Sequence, residues 1–208
     1  MKREKFTNRQ DQVAFHLGQH EKECWAPYQG LVILELKDQN GNVIQRIEKP
    51  NVVTLDAGIH AARLFKDKSE PNFGALMLAV GTGASGSAVS PDAPNSKQRK
   101  LNNEVERKAF SSVTFRNASG VAVAYPTNII DLTCQFTASE AVGALNEMGI
   151  LSPISSNTAT KNHNPNAYPT YDPTVDVTNY DVLLNYLTFG LVSKSASSIL
   201  TITWRFTF

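Results

Sequence analysis

The chain has little cysteine, no long apolar run and almost no net charge, and each shortage removes a class of function. Its two cysteines, Cys24 and Cys134, are far apart and form no CxxC pair or ladder, so neither a disulfide scaffold nor a zinc module is expected. Synthesis in a reducing compartment fits that usage. No stretch approaches the roughly 20 apolar residues that span a bilayer, and the polar start MKREKFTNRQDQ leads into no apolar run of signal length. Neither membrane insertion nor secretion by the usual signal is expected. Basic residues number 20 and acidic residues 19, so no overall field draws the chain to nucleic acid. Histidine is confined to His16, His20, His60 and His163, which leaves few arrangements for a nucleophile activated by a histidine base.

What remains is 208 residues with 41% hydrophobic content, enough for one filled core with extensions. Residues 1–28 are polar, with only scattered apolar groups such as Phe6, Val13, Phe15, Leu17 and Trp25, and read as an N-terminal arm. Residues 29–208 read as a single β-rich domain. LVILEL, the turn Asn40-Gly41 and NVIQRIE predict a β-hairpin, because both turn residues tolerate positive φ. TLDAGIHAARLFKD spaces its apolar residues as a helix does, with Thr54 as the N-cap, and predicts one short helix near residues 55–66. ALMLAV reads as a buried strand, KAFSSVTFR with NASG and VAVAYP as a second hairpin, and NIIDLTCQFTA as a further strand. In ILTITWRFTF, Leu200, Ile202, Trp204, Phe206 and Phe208 alternate with Thr201, Thr203, Arg205 and Thr207, so one face of this closing strand is buried. Many short strands, Gly/Pro/Asn turns and a single helix predict an all-β, mainly antiparallel sandwich or barrel-like fold.

Several motifs tempt a functional reading. GTGASG, Gly81–Gly86, has the GxGxxG spacing that seats a pyrophosphate on a helix N-terminus. The next residues are SAVSPDAPNSKQ, whose Pro91 and Pro94 oppose an immediate helix. A glycine turn at a strand end is the simpler reading, and no cofactor is expected. HLGQHEKEC places His16 and His20 four apart with Glu21, Glu23 and Cys24 behind, but Gly18 weakens the helix that would align them. No second ligand pair appears, so no metal is expected. GASGS lacks the last glycine of a nucleophile elbow, His60 falls in the predicted helix as a structural residue, and no catalytic set emerges. Between Ser152 and Asp181 runs a stretch of about 30 residues with four prolines and no periodicity, an uncommon length for a structureless loop in a compact domain. Tyrosine offers large contact area with few rotors. Interface candidates are therefore Phe15, Trp25 and Tyr28 on the arm and Tyr168, Tyr171 and Tyr180 on the loop. The loop tyrosines could equally pin the loop to its own domain.

Taken in order, LELKDQNGNVIQRIEKPN, NVVTLDAGIHAARLF, LMLAVGTGASG, LNNEVERKAF, ALNEMGIL and SASSILTITWRFTF resemble a recurrent group of bacteriophage virion proteins of the tail, baseplate or tail-fibre-associated type. The resemblance covers roughly residues 31–208 and leaves the arm outside. Met148 stands where relatives carry a small residue, and the 152–181 loop is longer than in typical relatives. The resemblance implies a non-enzymatic virion subunit, made in the bacterial host cytoplasm, whose partners are other copies of itself and other virion proteins. The alternatives are a capsid cement or decoration protein and a glycan-binding receptor module of a tail fibre, which would engage a host surface glycan.

Overall fold

The computed structural model describes residues 29–66, 77–166 and 179–208. Two antiparallel sheets face each other as a β-sandwich, in agreement with the expected class. Sheet A takes β1 (Gln29–Lys37), β2 (Val43–Pro50), β6 (Ser112–Arg116), β7 (Ala122–Val123), β8 (Ile129–Phe136) and β11 (Ile199–Thr207), in the order β2-β1-β11-β8-β6-β7. Sheet B takes β3 (Val52–Val53), β4 (Met77–Gly81), β5 (Glu104–Ala109), β9 (Gly143–Ser152) and β10 (Val182–Lys194), in the order β3-β10-β9-β4-β5. A single helix among the described residues, α1 (Leu55–Lys66), leads off from β3 and packs on β10.

Local signals account for the best-anticipated elements. The β1–β2 turn is closed by Asp38, whose Oδ1 accepts from the amides of Asn40 and Asn42 at 2.8 Å each. Gly41 there adopts φ 86°, a conformation costly for any residue with a Cβ. Thr54 caps α1: its Oγ1 accepts from the Ala57 amide at 3.2 Å and donates to the carbonyls of Leu183 and Leu184. The cap therefore also ties the helix to a bulge in β10, where the register against β9 shifts between Leu183 and Asn185. β11 alternates as its sequence requires, with Leu200, Ile202, Trp204 and Phe206 in the core. Phe208, expected on the same buried face, lies beyond the strand and is exposed. KAFSSVTFR is not one strand. It splits at Phe110–Ser111, where the chain leaves sheet B as β5 and enters sheet A as β6, a switch that propensity along one segment cannot encode.

The core lies between the sheets, with Val32, Leu34, Phe136 and Trp204 from sheet A meeting Val80, Ile150, Leu187 and Phe189 from sheet B. Cys134 sits within it, its thiol pushed up to about 12 by burial and so chemically inert at neutral pH. Sheet B is buried on both faces, since a second apolar cluster of Met77, Ala79, Leu101, Leu151, Leu183 and Tyr186 fills its outer side. That is why ALMLAV and VLLNYL read as unbroken apolar runs without alternation.

Candidate functional site

The loops that cover the outer face of sheet B are held there by charges that have left water. Arg107 on β5 is fully buried and fork-bonds Glu104 through Nε at 2.6 Å and Nη2 at 2.9 Å. Its Nη1 reaches Asp181 at 2.6 Å and the Thr160 carbonyl at 3.2 Å. Asp181 in turn accepts from the amides of Ile154 and Asn162, each at 3.1 Å. One guanidinium thus joins β5 to both described ends of the 152–181 segment. Burial opposes the charge on Arg107, but the two carboxylates outweigh it and raise its pKa. Lys161 donates to the carbonyls of Glu104 and Val105 at 3.3 Å, and His163 Nε2 stands 3.4 Å from Glu104. Burial holds the His163 pKa below its ordinary value.

A second knot sits on the same face. Glu147 of β9, with no solvent exposure, accepts from the amides of Gly83 at 2.9 Å, Asn102 at 3.1 Å and Asn103 at 2.8 Å, and from the Tyr186 hydroxyl at 2.7 Å. Burial first, and Glu147 next, raise the Tyr186 pKa, so the phenol stays a donor. The glycines of GTG result from this packing. A Cβ on Gly81 would lie 2.5 Å from the Asn103 carbonyl oxygen, and one on Gly83 would lie 2.4 Å from the Asn103 amide nitrogen. Close approach, more than positive φ, is the reason for glycine at these two positions. Only Gly86 of the motif has positive φ, at 87°. The intervening loop also fixes α1, because Arg99 fork-bonds Asp56 at 3.0 Å through two nitrogens, both side chains buried.

The opposite situation holds beneath the overhang of sheet A. There α1 presents Ala57, His60, Ala61 and Leu64, at helical i, i+3, i+4 and i+7 spacing, to a cleft of about 500 Å³. Across it stand Val113 and Phe115 of β6, Ile130 and Leu132 of β8, and Phe206 with Phe208. Leu184 and Asn185 of β10 also line it. Asn185 is fully buried, and neither its Oδ1 nor its Nδ2 meets a hydrogen-bond partner among the described residues. His60 is nearly buried, with Nε2 3.4 Å from Ser152 Oγ.

Chemically, the ion knots are closed: their oxygens and nitrogens are engaged with one another. The cleft is open and apolar, and the Asn185 amide along its floor is buried. Among the described residues no group of three or more His, Cys, Asp or Glu side chains is arranged to hold a metal, and no helix is long and apolar enough to cross a membrane. Of the interface candidates, Tyr180 is described and is half-buried beside Asp181. Phe15, Trp25, Tyr28, Tyr168 and Tyr171 lie outside the described residues, as do His16 and His20. The sequence motifs do not single out Glu104, Arg107, Asp181, Glu147 and Asn185 as partners. A usable signal exists for two of them, since Glu147 and Asn185 interrupt apolar strands; Glu147 meets the buried partners such a group requires, and Asn185 meets none among the described residues. No protein-family model matches the chain, and no curated protein matches it.

Proposed function

We propose that this chain is a non-enzymatic structural subunit of a bacteriophage-like particle, belonging to the tail or baseplate. The observation that most directly supports a scaffolding role is how the motifs of the sequence resemblance are used. GTG, LNNE and NEMG meet at Glu147, and the arginine of EVER, Arg107, joins Glu104 of the same motif to Asp181. Their charged groups hold surface loops to a rigid sheet. Loops fixed in this way present a constant surface to neighbouring subunits at little further entropic cost. In this reading the arm and the long loop bury their aromatic side chains, Phe15, Trp25, Tyr28, Tyr168, Tyr171 and Tyr180, against adjacent copies or other particle proteins. Among the described residues β2 is an edge strand of sheet A, and its Arg46, Glu48, Lys49 and Pro50 restrict unwanted pairing. Repeated copies turn modest contacts into a durable assembly.

Immunogold electron microscopy tests this on particles purified from the source of the chain, with one antibody against residues 1–28 and another against the 152–181 loop. Label at the tail end is the expected result. Label spread over the head would move the chain to a capsid cement role, and particles without label would end the structural reading. Binding on a glycan array would favour a receptor module.

A further inference from the structure

Among the described residues β2 forms one edge of sheet A, and a single hydrogen bond settles which way its backbone groups point. The Asn51 amide donates to the Gly30 carbonyl at 3.2 Å, one step beyond the Leu31–Pro50 pair of the β1–β2 register. Along an antiparallel strand these groups alternate from side to side. Asn51, Lys49, Ile47 and Gln45 therefore turn their amides and carbonyls toward β1, while Pro50, Glu48 and Arg46 turn theirs away. Pro50, which has no N–H, stands where β1 requires none. The register shift between Leu36 and Lys37 ends the regular stretch toward the hairpin turn, which leaves Arg46 and Glu48 as the evenly spaced outward donors and acceptors.

The side chains are sorted as well. Gln45 and Ile47 face inward: Gln45 Nε2 donates to the Leu191 carbonyl at 3.2 Å, and Ile47 packs against the core. Arg46 and Glu48 lie on the outer face, each side chain about half exposed. Arg46 Nη1 holds Glu35 at 2.5 Å, whereas its Nη2 stands 3.3 Å from Glu48, a loose contact for opposite charges.

Together these features make the edge self-complementary at one register. A second copy laid antiparallel, with the two-fold axis at Ile47, sets Arg46 opposite Glu48 of that copy and Glu48 opposite its Arg46. Both pairs fall at outward backbone positions, so each exchanges amide-to-carbonyl bonds in both directions, and opposite charges stand directly across from each other. Gln45 meets Lys49 without a clash of charge, and the two Ile47 side chains meet beside the core. Moving the axis by one residue sets Arg46 against Arg46 or Glu48 against Glu48, and like charges directly opposite repel. The charges that resist chance pairing at this edge thus admit one partner arrangement.

We infer that β2 is a two-fold contact between copies of this chain, formed by antiparallel pairing of residues 45–49 about Ile47. The two copies of sheet A then join edge to edge as one continuous sheet. The inference rests on the pattern of β2 and holds whether or not the chain belongs to a particle.

Sedimentation of the full chain tests it, with thermal melts to verify that each variant folds. The expected result is a reversible monomer–dimer equilibrium that strengthens with concentration and weakens in high salt. Glu48→Lys makes both outward positions positive and should weaken the dimer by at least about tenfold. Arg46→Glu makes both negative and should do the same, yet an equimolar mixture of the two variants should regain a dimer, because every charge again meets its opposite. As a second measurement, oxidised Ile47→Cys should give a disulfide-linked dimer that neither the unaltered chain nor Arg46→Cys gives, since residue 47 alone faces itself. A chain that stays monomeric into the millimolar range, whether its own segments or water cover β2, would overturn the proposal. So would a dimer that both charge variants leave intact, or a mixture of them that stays monomeric.

Discussion

The clamp around Arg107 and the cleft under α1 both bring polar groups out of water, but they resolve the cost in opposite ways. At the clamp a cation meets two carboxylates, and the remaining oxygens accept from loop amides. At the cleft an amide is buried without a partner among the described residues, beside apolar surface left open. A closed polar network specifies one arrangement of the chain and resists change. An unclosed one lacks that constraint.

Removing the centre of the clamp should break this contrast most strongly. Arg107→Ala leaves Asp181 buried without its counter-charge and Glu104 with only the more distant Lys161, 3.8 Å away, and a loss of about 3–5 kcal/mol is expected in urea denaturation. Proteolysis between residues 152 and 181 should accelerate in the same variant, because Asp181 and Thr160 lose their common donor. Gly83→Ala tests the second knot by size alone. Its Cβ would meet the Asn103 amide nitrogen at 2.4 Å, and forcing the loop outward should cost about 1–3 kcal/mol, read as a lowered Tm with an unchanged far-ultraviolet spectrum.

Asp131 measures how much of the clamp's effect comes from burial. On the outer face of sheet A it accepts from Arg205 at 2.7 and 2.9 Å and from Arg116 at 2.8 Å, but both arginines are about one-third exposed. Asp131→Asn should cost only about 1–2 kcal/mol at neutral pH. Burial acts to raise the Asp131 pKa, and the two guanidiniums overcome it to leave a net lowering. A lowered folded pKa means that the stabilisation is complete above the unfolded value, near 3.9, and is lost as pH falls through the folded value. Unfolding curves of Asp131→Asn and the unaltered chain should therefore converge in acid. The smallest effect is expected at the cleft rim, where Val113→Thr should change stability by no more than about 0.5 kcal/mol. A cost there comparable to that of Gly83→Ala would show the cleft to be as tightly packed as the clamp and erase the distinction.

Legibility in the sequence tracks the range of the interactions. The β1–β2 hairpin, the Thr54 cap and the alternation of β11 are set by neighbours a few residues apart, and each is readable. The split of KAFSSVTFR between two sheets is not, because the pairing of β5 with β4 and of β6 with β8 decides it. The clamp is hidden for the same reason: Arg107 and Asp181 are separated by 74 residues. GTG is legible as a turn at a strand end, but its cause lies in the crowding of Asn103 and Glu147, which no pattern within six residues reveals. The arm candidates and the loop candidates Tyr168 and Tyr171 lie outside the described residues.

The strand order of sheet A also sets a timetable. β11 lies between β1 and β8, so β1 and the middle strands of the chain have no bridge until residues 199–207 have been synthesised. During translation the β1–β2 hairpin must wait as an isolated ribbon, which is marginally stable in water. Sheet B has no such dependence on β11, because its last member, β10, joins β3 and β9 directly. The emerging chain can therefore build one wall of the sandwich before the other, and the exposed inner face of sheet B becomes the stage most open to aggregation. A stalled or shortened chain lacking those nine residues would be caught there, with β1–β2 severed from β8–β6–β7.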